Sequence, residues 1–588
     1  MKNNVLKKAA VFLAAICFAL PACKGGETGE HTAHTFNQKN TAAQYLKNEA
    51  TCTAPAFYYY SCECGEKGRE TFFVGRAHGH SFTAEVVDDK YAIEKGDCIT
   101  EGTYYKSCVY CGEKGYDFNT FKTVVEGGHN FSVENPQGKY IHTEATETAS
   151  AVYYKSCKCG KVGTETFSYG EALKTYTDEE KLAYTPTSLT VTMYDTKEGI
   201  YGFTYNTQSR PLRPVLQVAE GENFSDSYKE YDGVVEELNS YQKNGVGFTY
   251  YVVKAEATLE KGKTYTYRVY DKYADVGSPT AKLKGRDTSS ASFSFAHVSD
   301  TQMDHSAGDL YGRVLSHVVN KNDFVLHTGD VVENSKFEAE WTDMLHSNFS
   351  YLSTIPMMAI SGNHETTYKN GSNETYKHFH NKMPKQSTEL GYYYSFVYGN
   401  AKFIMLNTNS LTNNKLEKTQ YDWLVAELEN NTSTWTFVSL HNPIYSVGKW
   451  GSNPEQNSIC LALRGQLAGL FATYGVDVVL QGHDHTISRT YPINAEGKIT
   501  NESVQTVGGV EYSIDPSGVI YVMNGPGGSQ TREPHENCDK SMYSYARGSV
   551  ECSWADFSID GNILTVTVQY ATNSGVQEYA KWGIQKTA

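Results

Sequence analysis

Two things are scarce in this 588-residue chain, an excess of positive charge and uninterrupted apolar sequence. Acidic residues outnumber basic ones by 67 to 52, for a formal charge of −15 and a pI near 5.7. That balance argues against a nucleic-acid polyanion as the main partner. Beyond the N-terminus no apolar segment approaches the ~20 residues a membrane-spanning helix needs, so the mature protein is expected to be at most tethered. What is present fits folded domains rather than disorder, with 39% apolar residues and 45 tyrosines. The length allows roughly four units of about 150 residues.

Lys2, Lys7 and Lys8 precede an uncharged apolar run from Ala9 to Ala22, built like a secretory signal and too short for a permanent span. The run closes on Leu20-Pro-Ala-Cys23, which resembles a bacterial lipobox. The resemblance implies removal of residues 1–22 and a lipid on Cys23, with ordinary cleavage nearby as the alternative. The protein is therefore expected outside the cytoplasm, as a membrane-anchored lipoprotein or at the cell surface.

Residues 31–173 repeat. An anchor residue (Cys52, Cys98, Glu147) stands ten positions before Cys62, Cys108 and Cys157, and a histidine followed two places later by Phe (His34, His80, His129) stands eighteen before each anchor. Three copies at a period of 46 to 49 residues read as three small modules. Modules of this size lack a core without a staple. One histidine and three cysteines per copy predict a Cys3His zinc site within each: His34, Cys52, Cys62 and Cys64; His80, Cys98, Cys108 and Cys111; and His129, Cys157 and Cys159, where Glu147 replaces the missing Cys. Disulfides are the competing staple in an exported protein, although three Cys leave one unpaired. The modules resemble Cys-containing repeats of bacterial cell-surface proteins, which implies a spacer or attachment role toward cell-surface components.

Residues 180–290 read as strands. Leu189, Val191 and Met193 alternate with Thr190 and Thr192, and Tyr265, Tyr267 and Val269 with Thr266 and Arg268, the period of half-buried strands. The run from Leu259 through Gly262 to Tyr265 looks like the turn into a tyrosine corner, so this all-β unit resembles a fibronectin type III sandwich.

From residue 291 to 588 strands alternate with helices, which argues for a layered α/β sandwich whose ligands bind beyond the carboxyl ends of strands. Strands are expected at Phe293–Val298, Phe324–Leu326, Met357–Ile360, Thr436–Leu440 and Val478–Leu480. Between them lie helical stripes of Leu310, Val314 and Val318, of Phe337, Trp341, Met344, Leu345 and Phe349, and of Ile459, Leu463, Leu467, Phe471 and Tyr474 before Gly475. Thr419 and Asp422 have the spacing of a capping box. Cys460 falls on a helix stripe, and Cys538 and Cys552 are candidates to pair.

Every expected strand runs into polar residues: Asp300 and Gln302, then Gly329-Asp330 with Glu333, then Gly362-Asn363-His364-Glu365, then His441, then Gly482-His483-Asp484-His485. A lone Asp after a strand is usually a helix cap, and a lone His a hydrogen-bonded loop residue. Five such ends in succession are not explained that way. Their order resembles that of the calcineurin-like metallophosphoesterases, and with an all-β unit in front the set is most similar to the purple acid phosphatases.

The resemblance implies a pair of divalent or trivalent ions (Fe, Mn or Zn), with Asp330 bridging. Asp300, Asp330 and His485 would hold one ion, and Asp330, Asn363, His441 and His483 the other. It further implies hydrolysis of small phosphate monoesters, or diesters, by in-line attack of a metal-bridging hydroxide, with His364 donating a proton or steadying the phosphoryl group. Two positions depart from the pattern. Glu333 stands where purple acid phosphatases have a tyrosine, so no tyrosine-to-iron colour is expected. Gln302 stands where the wider superfamily has histidine, and either its amide oxygen or Glu333 would complete the first ion's shell. Lys449 or Trp450 is the candidate substrate contact after His441. The reading from another class is a surface-attachment protein whose phosphatase-like domain binds a partner without turnover.

Overall fold

The computed structural model describes residues 34–125, 127–241, 245–302, 307–366, 375–387, 391–452, 458–500 and 502–587. The expected signal and Cys23 lie outside the described residues. Among those described, no helix is long and apolar enough to cross a membrane. The chain divides into two compact units, one of Met1–Phe131 with Cys157–Lys161, the other of Ser132–Ser156 with Val162–Ala588.

In the first unit each of two repeats is a short strand followed by a hairpin, Leu46–Asn48 with Ala56–Ser61 and Lys67–Val74, and Ala92–Glu94 with Gly102–Tyr105 and Thr120–Thr123. A buried tyrosine anchors each, Tyr45 donating to the carbonyl of Gly65 and Tyr91 to that of Gly112. The cysteines do not close within each repeat as the spacing predicts. Cys52 gathers with His80, Cys108 and Cys111, and Cys98 with His129, Cys157 and Cys159, leaving His34 with Cys62 and Cys64. The reason lies in the backbone. His78 and Gly79 donate to the carbonyls of Thr51 and Cys52, so the anchor turn of one repeat is sewn to the first segment of the next. Cys62 and Cys64 form a disulfide.

In the second unit, residues 187–284 form two facing β-sheets. Their strand orders are Thr187–Asp195, Ile200–Thr207, Gly247–Thr258, Val234–Tyr241, and Tyr228–Asp232, Pro214–Glu220, Thr264–Asp271, Val276–Gly277, with Ala281–Lys284 beside Thr264–Asp271. The Tyr265 hydroxyl accepts from the Glu260 N–H at 3.0 Å, the contact the corner turn predicts. The first strand departs from its expected half-burial, because Thr190 and Thr192 are as buried as Val191. Both threonines donate to carbonyls of the segment that covers them, Thr190 to His378 and Thr192 to His380.

The remainder is two mixed sheets face to face. In the first, β1 (Ser292–Val298), β2 (Phe324–His327) and β3 (Met357–Ala359) run parallel; in the second, β4 (Trp435–Leu440) and β5 (Val478–Gln481) do. The five expected strands therefore exist but are shared between two sheets, each completed by strands from residues 487–585 or, in the second, also by Tyr394–Tyr398 and Ala401–Met405. A wholly buried aromatic cluster joins the sheets, Phe295 meeting Phe403 and Phe437 edge-on at 5.2 and 5.3 Å between ring centres. Helices α1 (Ala307–Val318) and α2 (Glu338–His346) bury Val314, Leu315, Trp341 and Leu345 in that same core, while α3 (Lys418–Glu429) and α4 (Ser458–Thr473) bury Leu424, Leu463 and Phe471 in a second cluster. Gly475, at φ +67°, ends α4 as expected. The capping box does not form: Glu417 precedes the first turn of α3 and no side chain caps it. Cys460 is buried core, whereas Cys538 and Cys552 are both free thiols, Cys552 turning instead toward the Leu310 carbonyl.

Candidate metal centre

The loops leaving β1 to β5 are tied together before any side chain is considered. Asp300 N–H donates to the Gly329 carbonyl, Thr301 and Gln302 N–H to that of Asp330, and Gly482 N–H to that of His441. Asp300, Asp330, His483 and His485 all have left-handed backbones, φ +52°, +55°, +77° and +51°. Such conformations cost of order 1 kcal/mol or more each and persist where the surroundings dictate them. The intervening glycines are required by space. A Cβ on Gly362 would stand 2.0 Å from an Asp330 oxygen, and one on Gly482 2.4 Å from Ser299 Oγ.

Onto this scaffold the expected residues converge. Donor atoms of Asp330, His441 and His483 lie within 4.8 Å of one another. His441 Nε2 is 3.1 Å from Asp330 Oδ2 and 2.9 Å from Asn363 Oδ1. On the other side His485 Nε2 is 3.3 Å from Asp300 Oδ1, and Gln302 Nε2 is 3.3 Å from Asp330 Oδ2. Asp330 thus stands between the two groups.

The imidazoles are oriented from behind. His441 Nδ1 donates to the Thr328 carbonyl at 2.8 Å and His485 Nδ1 to that of Gln530 at 2.7 Å, so both Nε2 atoms face inward. Gln302 Oε1 is buried with no hydrogen-bond partner, and turning the amide would direct it at Asp330 and His485, as a cation there would require. Two carboxylates, three imidazoles and two amides are a donor set that suits first-row metals.

Electrostatics agree. Burial opposes charge on Asp300 and Asp330, yet the neighbouring His485 and His441 hold both carboxyls below their usual range. Burial likewise works against charge on His441, but Asp330 and Asp300 outweigh it and raise it to about 9. Burial, with His441 beside it, drops His483 to about 3.

His364 sits at the rim, partly exposed. Its N–H donates to Asp330 Oδ1 at 2.9 Å and its Nδ1 to the Glu333 carbonyl at 2.6 Å, leaving Nε2 3.9 Å from Asp330 Oδ2. Burial lowers its basicity, but Asp330 and the Glu333 carbonyl more than compensate and raise it. Glu333 itself turns outward, its carboxylate 3.7 Å from His364 Nδ1 and not among the clustered donors. Trp450 donates from its backbone to Asp484 and holds its ring 6.1 Å from that of His483, while Lys449 is exposed above the same indole.

Three residues support the centre from behind. Glu365 is wholly buried and accepts N–H bonds from Asp330, Val331 and Gly362 at 2.9, 2.9 and 2.6 Å, clamping the β2 and β3 loops; burial and Asp330 raise it to about 7. His297 and His327, buried behind the loops, bond Thr328 and Thr301. Only the glutamate, inside the Gly-Asn-His-Glu run, was findable from the lettering.

Residues 293–486, a span holding all these clustered donors, match the family model described as calcineurin-like phosphoesterase. The chain is 27% identical over 194 residues to purple acid phosphatase 15 of Arabidopsis thaliana, covering 32% of each protein. It is 29% identical over 184 residues to purple acid phosphatase 23 of the same plant, covering 30% of this chain and 35% of the relative. It thus spans about a third of the length of these relatives. A solved purple acid phosphatase from yellow lupin seeds shares the fold, with a TM-score of 0.57 at 16% identity over 75% of this chain and 80% of that one. Strand order, loop chemistry and the family-model match fall on the same residues, so that 293–486 is similar to calcineurin-like phosphoesterase domains, and the chain's relatives include plant purple acid phosphatases.

Proposed function

We propose that this protein is a binuclear metal-dependent phosphoesterase. The observation that carries the reading is that Asp330 Oδ2 lies beside His441, which meets Asn363, and also beside Gln302, whose amide reaches His485 next to Asp300. Asp300, Gln302, Asp330 and His485 would hold one ion, and Asp330, Asn363, His441 and His483 the other. When bound, such a pair neutralises phosphoryl oxygens and acidifies a water. The chain's own residues do the rest. His364, with Nδ1 donating to the Glu333 carbonyl, is left with Nε2 as the nitrogen that would, when protonated, donate to the leaving oxygen. The Trp450 indole beside His483 offers an apolar wall to the ester group.

The all-β unit at 180–290 is read as fibronectin III-like, and the protein as exported and lipid-anchored at Cys23, which the charged, apolar and small-residue order of residues 1–23 supports. An inactive binding protein fits less well, because every donor position and His364 are filled. The test is metal analysis of the purified protein together with hydrolysis of an aryl phosphomonoester and an aryl phosphodiester. Two metal equivalents that track turnover are expected; turnover unchanged by complete metal removal rejects the proposal.

A further inference from the structure

The repeats hold a second kind of site, built between modules. Cys52 Sγ, from the first repeat, is 3.7 Å from Cys108 Sγ of the second, whose Cys111 Sγ is 3.4 Å from His80 Nδ1. One repeat later the arrangement recurs, with Cys98 Sγ 3.2 Å from Cys157 Sγ and Cys159 Sγ 3.3 Å from His129 Nδ1. In each set four donor atoms lie within 4.8 Å of one another. Tetrahedral zinc with Zn–S bonds of about 2.3 Å places its sulfurs roughly 3.8 Å apart, close to these separations.

The surroundings also suit a cation. His80 turns Nδ1 to the sulfurs and Nε2 to Glu113, 3.3 Å away, which orients a ligating imidazole. Ser81 N–H points at Cys108 Sγ from 3.4 Å, favouring a thiolate. Three sulfurs per site leave one over from any disulfide. The Cys-x-Cys pair at 157 and 159 stays unbonded beside Cys98, whereas the same spacing at 62 and 64, where no fourth donor is gathered among the described residues, is a disulfide.

We infer that a thiophilic divalent cation, zinc by its ligand set, binds at each of these two sites and clasps successive repeats, the anchor cysteine of one completing the Cys3His shell of the next. The clasp makes neighbouring modules interdependent and gives the array a metal requirement separate from that of the phosphoesterase centre.

Cobalt substitution of the full-length protein, purified under reducing conditions, tests this, because thiolate-to-cobalt absorption arises only where cysteine is a ligand and the phosphoesterase centre has none. The wild type should show that band, with two thiolate-ligated equivalents. The double variant Cys52→Ser/Cys111→Ser, hitting one site, should lose about half the band. Cys98→Ser/Cys111→Ser, hitting two, should lose nearly all of it. If the sites closed within repeats, the second pair would remove only one, and that result overturns the inference. So does the absence of any thiolate band in the wild type. Mass analysis of the unreduced protein needs no variant to fold: free thiols at Cys52, Cys98, Cys108 and Cys157 support the clasp, and a Cys52–Cys108 or Cys98–Cys157 crosslink rejects it.

Discussion

The candidate metal centre and the repeat clusters are two answers to one problem, how to fix several donor side chains at a point. At the centre the protein does the fixing. Two sheets with a continuous core hold five loops, glycines make room, and left-handed Asp and His residues are kept in place by neighbours such as Glu365. In the repeats only a few buried tyrosines and cysteines stand behind the ligands, so the staple must do the fixing. The donor chemistry divides accordingly, hard oxygen and imidazole donors at the centre for which turnover is proposed, soft sulfur in the repeats. A rigid fold can support an open, reactive site, while a minimal module needs a closed one.

The widest gap between the two regions should open with Asp330→Asn. Removing one negative charge shared by two donor groups is expected to cut kcat/KM by about a thousandfold or more, the equivalent of several kcal/mol of transition-state stabilisation. Metal content at the centre should fall while the repeat sites keep theirs. Full turnover with metal unchanged would remove Asp330 from its role. Next in size is His364→Ala, expected to lower kcat by about 10²-fold or more with metal content unchanged, and to flatten the limb of the pH–rate profile that reports the proton donor. A loss of metal instead would show His364 to be a ligand.

A third effect depends on pH. Burial drops His297 to about 3 and His327 to about 4, so both are neutral in the fold. In the unfolded chain they bind protons below roughly pH 6.5. Their contribution to stability is therefore complete above that value and declines as pH falls toward 4, by about 1.4 kcal/mol per pH unit for each. Imidazole NMR signals from these two residues should not move between pH 7 and 5, and a midpoint near 6.5 would contradict their closed packing. Smallest of all, Cys98→Ser should change kcat by less than about twofold, since Cys98 is not among the centre's clustered donors in the described residues and independent sites add. A large loss of turnover would mean that the two regions are not separate devices.

The centre was legible because its residues terminate strands. An apolar run stopped by Gly-Asp or Gly-Asn-His announces both the strand and what stands at its end, and Asp300, Asp330, Asn363, His441, His483 and His485 meet as that order implied. What the lettering hid is whatever depends on contacts across long separations. That the five strands are shared between two sheets follows from pairing with Ser553–Asp560 and Ile520–Asn524, segments with no local mark of their partners. The burial of Thr190 and Thr192 depends on a segment nearly two hundred residues away. The repeat ligands were identified by type and misassigned by partner, because a periodic sequence looks the same whether Cys52 closes on Cys62 or reaches onward to Cys108. Glu333, the alternative to Gln302 for the first ion's shell, holds its carboxylate 3.7 Å from His364 Nδ1 and outside the clustered donors.

Glu365 has one further consequence. By bonding the amides of Asp330 and Val331 and that of Gly362, before the Asn363 turn, a single side chain makes two loops of the centre into one mechanical part. If the proposed ions bind, they would meet donors already held in place, and their uptake would be expected to be limited by diffusion and dehydration rather than by rearrangement of these loops.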